Sequence, residues 1–102
     1  MPRYIFKLTD GRDGRSYYGE WSTVVDAPVS DLFPDTKSLT EYVRRRYGET
    51  GVLELFGDME RIERQGVSWY AKETVERLLR GNRAGDGETE LTAEQIIDRY
   101  KV

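Results

Sequence analysis

The chain has 102 residues, with 16 Lys+Arg against 19 Asp+Glu for a formal net charge of −3, and it contains neither cysteine nor histidine. A chain of this length makes one domain, 1–102, with room for one core. The missing residue types exclude a disulfide framework, thiolate or imidazole metal sites, a cysteine nucleophile and a Ser-His-Asp triad. The charges are interleaved: residues 1–37, 38–66 and 67–102 each sum to −1. Neither a one-sided acidic face nor the basic excess of a general nucleic-acid binder is visible at this level.

Residues 3–9 alternate, with Tyr4, Phe6 and Leu8 to one side and Ile5, Lys7 and Thr9 to the other, which predicts a half-buried strand. Asp10-Gly11 and Asp13-Gly14 are turn signals. Residues 16–25 are aromatic and β-branched and read as the return strand, with Tyr17 and Trp21 on one face and Gly19 between them. A glycine inside a strand marks a bulge or a close approach by another group. Asp26-Ala27-Pro28 ends the strand, and Asp31-Leu32-Phe33-Pro34-Asp35 reads as a loop with an apolar anchor. Because an isolated hairpin is marginal in water, it must gain a third strand from this chain or pair with a second copy.

Ser38 and Glu41 match a capping box, which predicts a helix over 39–47 ending at Gly48, with Leu39, Tyr42, Val43 and Tyr47 as its apolar stripe and Arg46 inside that stripe. Residues 52–65 read as a helix broken near Gly57, with Val52, Leu55, Phe56, Met59 and Ile62 on one side. The alternative is a hairpin turning at Gly57-Asp58, which would set Glu54 against Arg61. Gly66 ends the segment either way. A further helix is expected over 69–80, capped by Ser68, with a stripe of Ala71, Val75, Leu78 and Leu79 and with Trp69 roughly opposite. Residues 81–87 read as a flexible loop. Thr92 and Gln95 form a capping box and Leu91 and Ile96 a hydrophobic staple for a last helix, whose stripe is Ala93, Ile96, Ile97 and Tyr100. The expected fold class is α+β: an N-terminal antiparallel hairpin or small sheet packed by three to four helices over one face.

The chemistry-bearing motifs are few. No phosphate-binding glycine loop is present, Asp10–Gly14 lacks the spacing of a calcium loop, and Asp86, Glu88 and Glu90 suit a solvated loop better than a metal. No catalytic residue, cofactor or metal is therefore assigned. Arg44, Arg45 and Arg46 between Tyr42 and Tyr47 could neutralise phosphates and stack bases; cations near a helix C-terminus have a sufficient structural reason as well. Tyr17, Tyr18 and Trp21 could line a groove and, with Trp69, Asn82 and Arg83, hold a flat anionic ligand such as a nucleotide. The same strand could equally pack on helices as core.

The run Trp21-Ser-Thr-Val-Val-Asp-Ala-Pro-Val-Ser30, with Asn82-Arg-Ala-Gly85 before the capped Leu91–Ile97 segment, resembles small bacteriophage-encoded proteins without a known catalytic motif. That resemblance implies a compact viral accessory or anti-defence protein that works by occupancy. The opening Met1–Gly11 is similar to a second group of small bacterial proteins, as far as the first turn. The expectation is a non-enzymatic, homo-oligomeric binding protein whose partner is a host protein or a small anionic ligand, with a DNA- or RNA-binding regulator as the alternative. No apolar run approaches the ~20 residues of a membrane span, and Met1-Pro2-Arg3-Tyr4 leads straight into a strand, so a soluble, cytoplasmic protein is expected.

Overall fold

The computed structural model describes residues 3–68 and 74–102. The elements are β1 (Arg3–Thr9), β2 (Ser16–Ser22), β3 (Ala27–Pro28), α1 (Thr36–Gln65), α2 (Val75–Leu79) and α3 (Ala93–Tyr100), an α+β fold built on an antiparallel sheet of order β1-β2-β3. The hairpin register pairs Tyr4 with Trp21, Phe6 with Gly19 and Leu8 with Tyr17, so the large apolar residues of both strands share one face. β2 is shorter than the expected 16–25: it ends at Ser22, and residues 23–26 turn the chain back so that Ala27 and Pro28 pair with Ser22 and Trp21. Asp26 makes this reversal at a positive φ of 54°, a conformation that Asp tolerates better than most residues.

The hairpin gains its third strand from its own chain, and its edges are covered further. On the β1 side, Lys7 N–H donates to Gly66 O and Ser68 N–H to Ile5 O. Beyond β3, Tyr18 and Phe33 exchange backbone hydrogen bonds at 2.9 and 2.7 Å, and Leu32 N–H donates to Tyr100 O. Strand pairing with a second copy, one ground of the oligomer expectation beside the surplus of aromatic residues, is therefore not needed to complete the hairpin.

Helices cover both faces of the sheet rather than one. On the face of Phe6, Leu8, Tyr17 and Trp21, the core is completed by Leu32, Val67, Ile96 and Ile97, with α2 and α3 packed against it. On the opposite face Tyr18, Phe33 and Ile5 meet Leu39, Val43, Val52, Leu55 and Ile62 of α1. Strand alternation thus feeds two apolar layers, and the residues expected to face solvent become the α1 contact.

α1 joins the two helices expected separately over 39–47 and 52–65, so the described residues hold three α-helices, the lower end of the three to four expected. The break falls at Gly48 (φ 73°, ψ −169°), where the first segment was predicted to stop, and not at Gly57, which is helical. The hairpin alternative for 52–65 is excluded. Asp35, not Ser38, caps the helix: its carboxylate accepts from Ser38 N–H at 2.7 Å, while Glu41 pairs with Arg44 instead of closing a box. Gly66 ends α1 in the left-handed region, as expected. Phe56, placed in the buried stripe by sequence, is 60% exposed.

Ser68 continues the extended segment along β1, and its hydroxyl accepts from Ile5 N–H; the helix start it was expected to cap lies outside the described residues. The helix expected from 69 is seen from Val75, with Thr74 as its cap; Trp69 and Ala71 lie outside the described residues. α3 has the full predicted box, with Thr92 Oγ1 accepting from Gln95 N–H and Gln95 Oε1 accepting from Thr92 N–H.

Candidate functional site

β2 turns Tyr18 and Glu20 toward α1, and the stripe of α1 before its break brings Tyr42 and Tyr47 to them. The Glu20 side chain is only 4% exposed. Its Oε1 accepts from the Tyr42 hydroxyl at 2.7 Å, and its Oε2 accepts a short hydrogen bond from the Tyr47 hydroxyl. Arg3 Nη1 and Arg46 Nε each stand 3.8 Å from Oε1. A carboxylate buried without such partners would be strongly destabilising. Burial first, and then the Glu20 carboxylate, hold the Tyr42 hydroxyl far above its ordinary pKa.

A second carboxylate anchors the other end of the same face. Glu63 of α1 receives Lys7 Nζ at 2.6 Å and the Tyr18 hydroxyl at 2.6 Å. The Lys7 ammonium, then the Tyr18 hydroxyl, hold its carboxyl below the ordinary range, whereas burial and Glu63 push Tyr18 up to about 12.

Between the start of the hairpin and α1 lies a cleft of about 300 Å³. Its walls come from Arg3 and Ile5 of β1, Glu20 of β2, and Val43, Tyr47, Thr50, Gly51, Glu54, Leu55 and Asp58 of α1, on both sides of the break. Gly51 is a packing requirement here, because a Cβ at that position would collide with Tyr47 Cβ. Asp58 is held by Arg61, which donates to its Oδ1 at 3.0 Å and to Ser68 O at 2.9 Å.

The residues nominated from sequence do not gather into one site. Tyr17 and Trp21 are core, Trp21 packing edge-on against Phe6 at 5.4 Å between ring centroids, so neither lines a groove. Asn82 is also buried, and all its capacity serves the backbone: it donates to Leu79 O and Leu91 O and accepts from Ala84 N–H and Leu91 N–H. Asn82, Ala84 and Gly85 are buried parts of the loop expected to be flexible. Arg83 clamps the β2–β3 turn, donating to Val24 O and standing 3.5 Å from Asp26. These side chains do not converge on one pocket, and Trp69 lies outside the described residues.

The arginine run is mostly engaged. Arg44 straddles the Gly48 break, binding Glu41 at 3.0 Å and Glu49 at 2.6 Å. Arg46 was expected inside the buried stripe but its side chain is 50% exposed, leaning over the Tyr47 ring and toward Glu20. Arg45 is exposed and makes no ion pair among the described residues. Tyr18 and Tyr47 both lie at the α1–sheet contact but bind different carboxylates, Glu63 and Glu20, which sequence reading did not single out. Glu20 carried a usable signal: a helix stripe holding Tyr42 and Tyr47 needs acceptors for two hydroxyls.

Among the described residues no group of His, Cys, Asp or Glu is arranged to hold a metal ion, and no helix is long and apolar enough to cross a membrane. No protein-family model matches the chain, and no curated protein or solved structure shows significant similarity to it.

Proposed function

We propose that the chain is a non-enzymatic binding protein that acts by occupancy, with the cleft between the hairpin and α1 as its contact site. One observation carries this reading. The cleft is a preformed concavity whose wall joins β1, β2 and α1, with Glu20 held in it by Tyr42 and Tyr47. Its most buried ionisable group is saturated by two hydroxyls and bracketed by two guanidiniums, which suits a rigid wall better than a proton-transfer group. A concave site of a few hundred Å³ is of the size that takes a small ligand or one anchoring side chain. The viral-accessory setting is supported by the resemblance of residues 21–30, 82–85 and 91–97 alone.

The test is affinity purification with the native chain and with Thr50→Trp, which fills the cleft from an exposed position. A partner retained by the native chain and lost by the variant supports the reading; the same set retained by both overturns it. The alternative, a nucleic-acid regulator using Arg44 to Arg46, has Arg45 as the uncommitted guanidinium of that run. Its mark is affinity that falls steeply with salt, and binding insensitive to salt removes it.

A further inference from the structure

The charges around the cleft point away from an anionic occupant. Its lining carries one guanidinium, Arg3, against three carboxylates, Glu20, Glu54 and Asp58. Glu20 is closed to a ligand by its tyrosines, and one oxygen of Asp58 serves Arg61. Glu54 differs from both: it is exposed, it lines the cleft, and among the described residues it pairs with nothing. Thr50 and Asp58 lie one turn to either side of it on α1, so a hydroxyl and a second carboxylate flank it along one face. Beneath them Ile5, Val43 and Leu55 give the cleft an apolar floor. Acceptors at the rim above an apolar floor match a compact cation on an aliphatic stem.

We infer that the cleft takes the side chain of a lysine presented by a partner protein, its stem over Ile5, Val43 and Leu55 and its ammonium on Glu54, with Thr50 or Asp58, one turn to either side, as a second acceptor. The partner, rather than a free amine, follows from what lies beside the rim. Leu53, three residues on from Thr50 and 71% exposed, lies on the adjoining solvent side of the same helical segment. It offers apolar area that a protein surface can cover and a small amine cannot. This inference rests on the cleft being the contact site; it adds the sign and class of what enters.

The test is a nuclear magnetic resonance titration of the full chain, following the backbone amides of Thr50, Glu54 and Ser68. The probes are a short peptide with a central lysine between leucines, the same peptide with N-acetylated lysine, the same peptide with glutamate in place of lysine, and butylammonium. The lysine peptide is expected to shift these amides and the acetylated and glutamate peptides not to. Glu54→Gln, a substitution at an exposed position, should weaken the lysine peptide about tenfold, the scale of one lost charge-assisted contact. Leu53→Ser should weaken the peptide and leave butylammonium unchanged. Butylammonium binding as tightly as the lysine peptide would overturn the partner-protein assignment in favour of a free amine. A glutamate peptide that binds the cleft as well as the lysine one overturns the cation while leaving occupancy of the cleft standing. Absence of any shift at these amides overturns the inference, and the purification with Thr50→Trp then judges the contact site on its own.

Discussion

The Tyr42 hydroxyl and the Glu20 carboxylate, 22 residues apart in the chain, meet at 2.7 Å between α1 and the sheet. Glu20 is the point where helix, strand and cleft wall are tied together, since Tyr47 binds its other oxygen. Glu20→Ala would leave the buried Tyr42 hydroxyl without its acceptor and remove the counter-charge of Arg3 and Arg46. Hydrogen bonds to a charged group are worth about 1.5–3 kcal/mol each, and the ion pairs add little because both guanidiniums are partly solvated. A loss of about 2–4 kcal/mol in urea unfolding is expected, with Tyr47→Phe costing about 1 kcal/mol because Tyr47 is partly exposed. Equal stability of Glu20→Ala and the native chain would show that these bonds do not hold α1.

Asn82 was a candidate ligand contact, and its four backbone bonds make it a structural residue. Asn82→Ala would strand two peptide N–H groups and the Leu91 carbonyl at the α2–α3 junction, while Leu79 O keeps the backbone N–H of residue 82. A destabilisation of about 2–4 kcal/mol is expected. Asn82→Asp should recover only part of it, because a carboxylate keeps the two acceptor bonds but faces Leu79 O and Leu91 O without a proton. Thermal unfolding of both variants checks the order. By the same reasoning Trp21→Ala tests folding and not ligand affinity: an aromatic truncated in the core costs about 3–5 kcal/mol.

What sequence made legible was local. The alternation in 3–9, the stops at Gly48 and Gly66 and the Thr92/Gln95 box each depend on neighbours within a few residues, and each is found; the aromatic return strand expected over 16–25 is found as far as Ser22. Asp35 reads as the end of a loop and Ser38 as the cap, but Asp35 caps a helix as well as Ser38 does, and nothing in Thr36-Lys37 opposes helix, so α1 starts a turn earlier. Properties set by distant partners were hidden. Lys7 and Glu20 look like solvent-side strand residues until α1 supplies Glu63, Tyr42 and Tyr47. Arg46 looks buried from its angle alone, but the hydroxyls beside it claim Glu20 and leave the guanidinium at the surface.

Stability should fall on both sides of neutrality for assignable reasons. Asp10 and Asp98 are held below their ordinary value of 3.8 by Arg12, Asp35 by the Ser38 amide, and Glu63 below 4.5 by Lys7. A carboxyl depressed in the folded state contributes fully above its unfolded pKa, and the contribution is lost as pH falls through the folded one. The acid decline should therefore begin near pH 4, and Asp35→Asn should flatten part of it. Tyr18 is raised from 10.0 to about 12. Its contribution is complete below pH 10 and lost as pH rises toward 12. Tyr18→Phe should flatten that alkaline limb; denaturation at fixed urea across pH follows both, and an unchanged limb in either variant rejects its assignment.

Gly19 and Gly57 should respond to alanine with opposite signs. Gly19 lies opposite Phe6 in the hairpin, where a Cβ would stand 2.7 Å from Leu32 Cδ2 and 3.2 Å from both Asp31 O and Phe6 Cε1. The Asp31 carbonyl belongs to the strand-like segment bonded to β2, so it cannot simply swing away. Overpacking of this kind costs about 1–3 kcal/mol. Gly57 sits within α1 at helical angles with no atom within 4 Å of a built Cβ. Alanine there restricts the unfolded chain without a clash, so Gly57→Ala should stabilise by about 0.4–1 kcal/mol. Chemical denaturation of the two variants side by side gives the comparison. Loss of stability in Gly57→Ala would mean that residues 49–65 do not form the continuous helix described, and would reopen a turn at Gly57-Asp58.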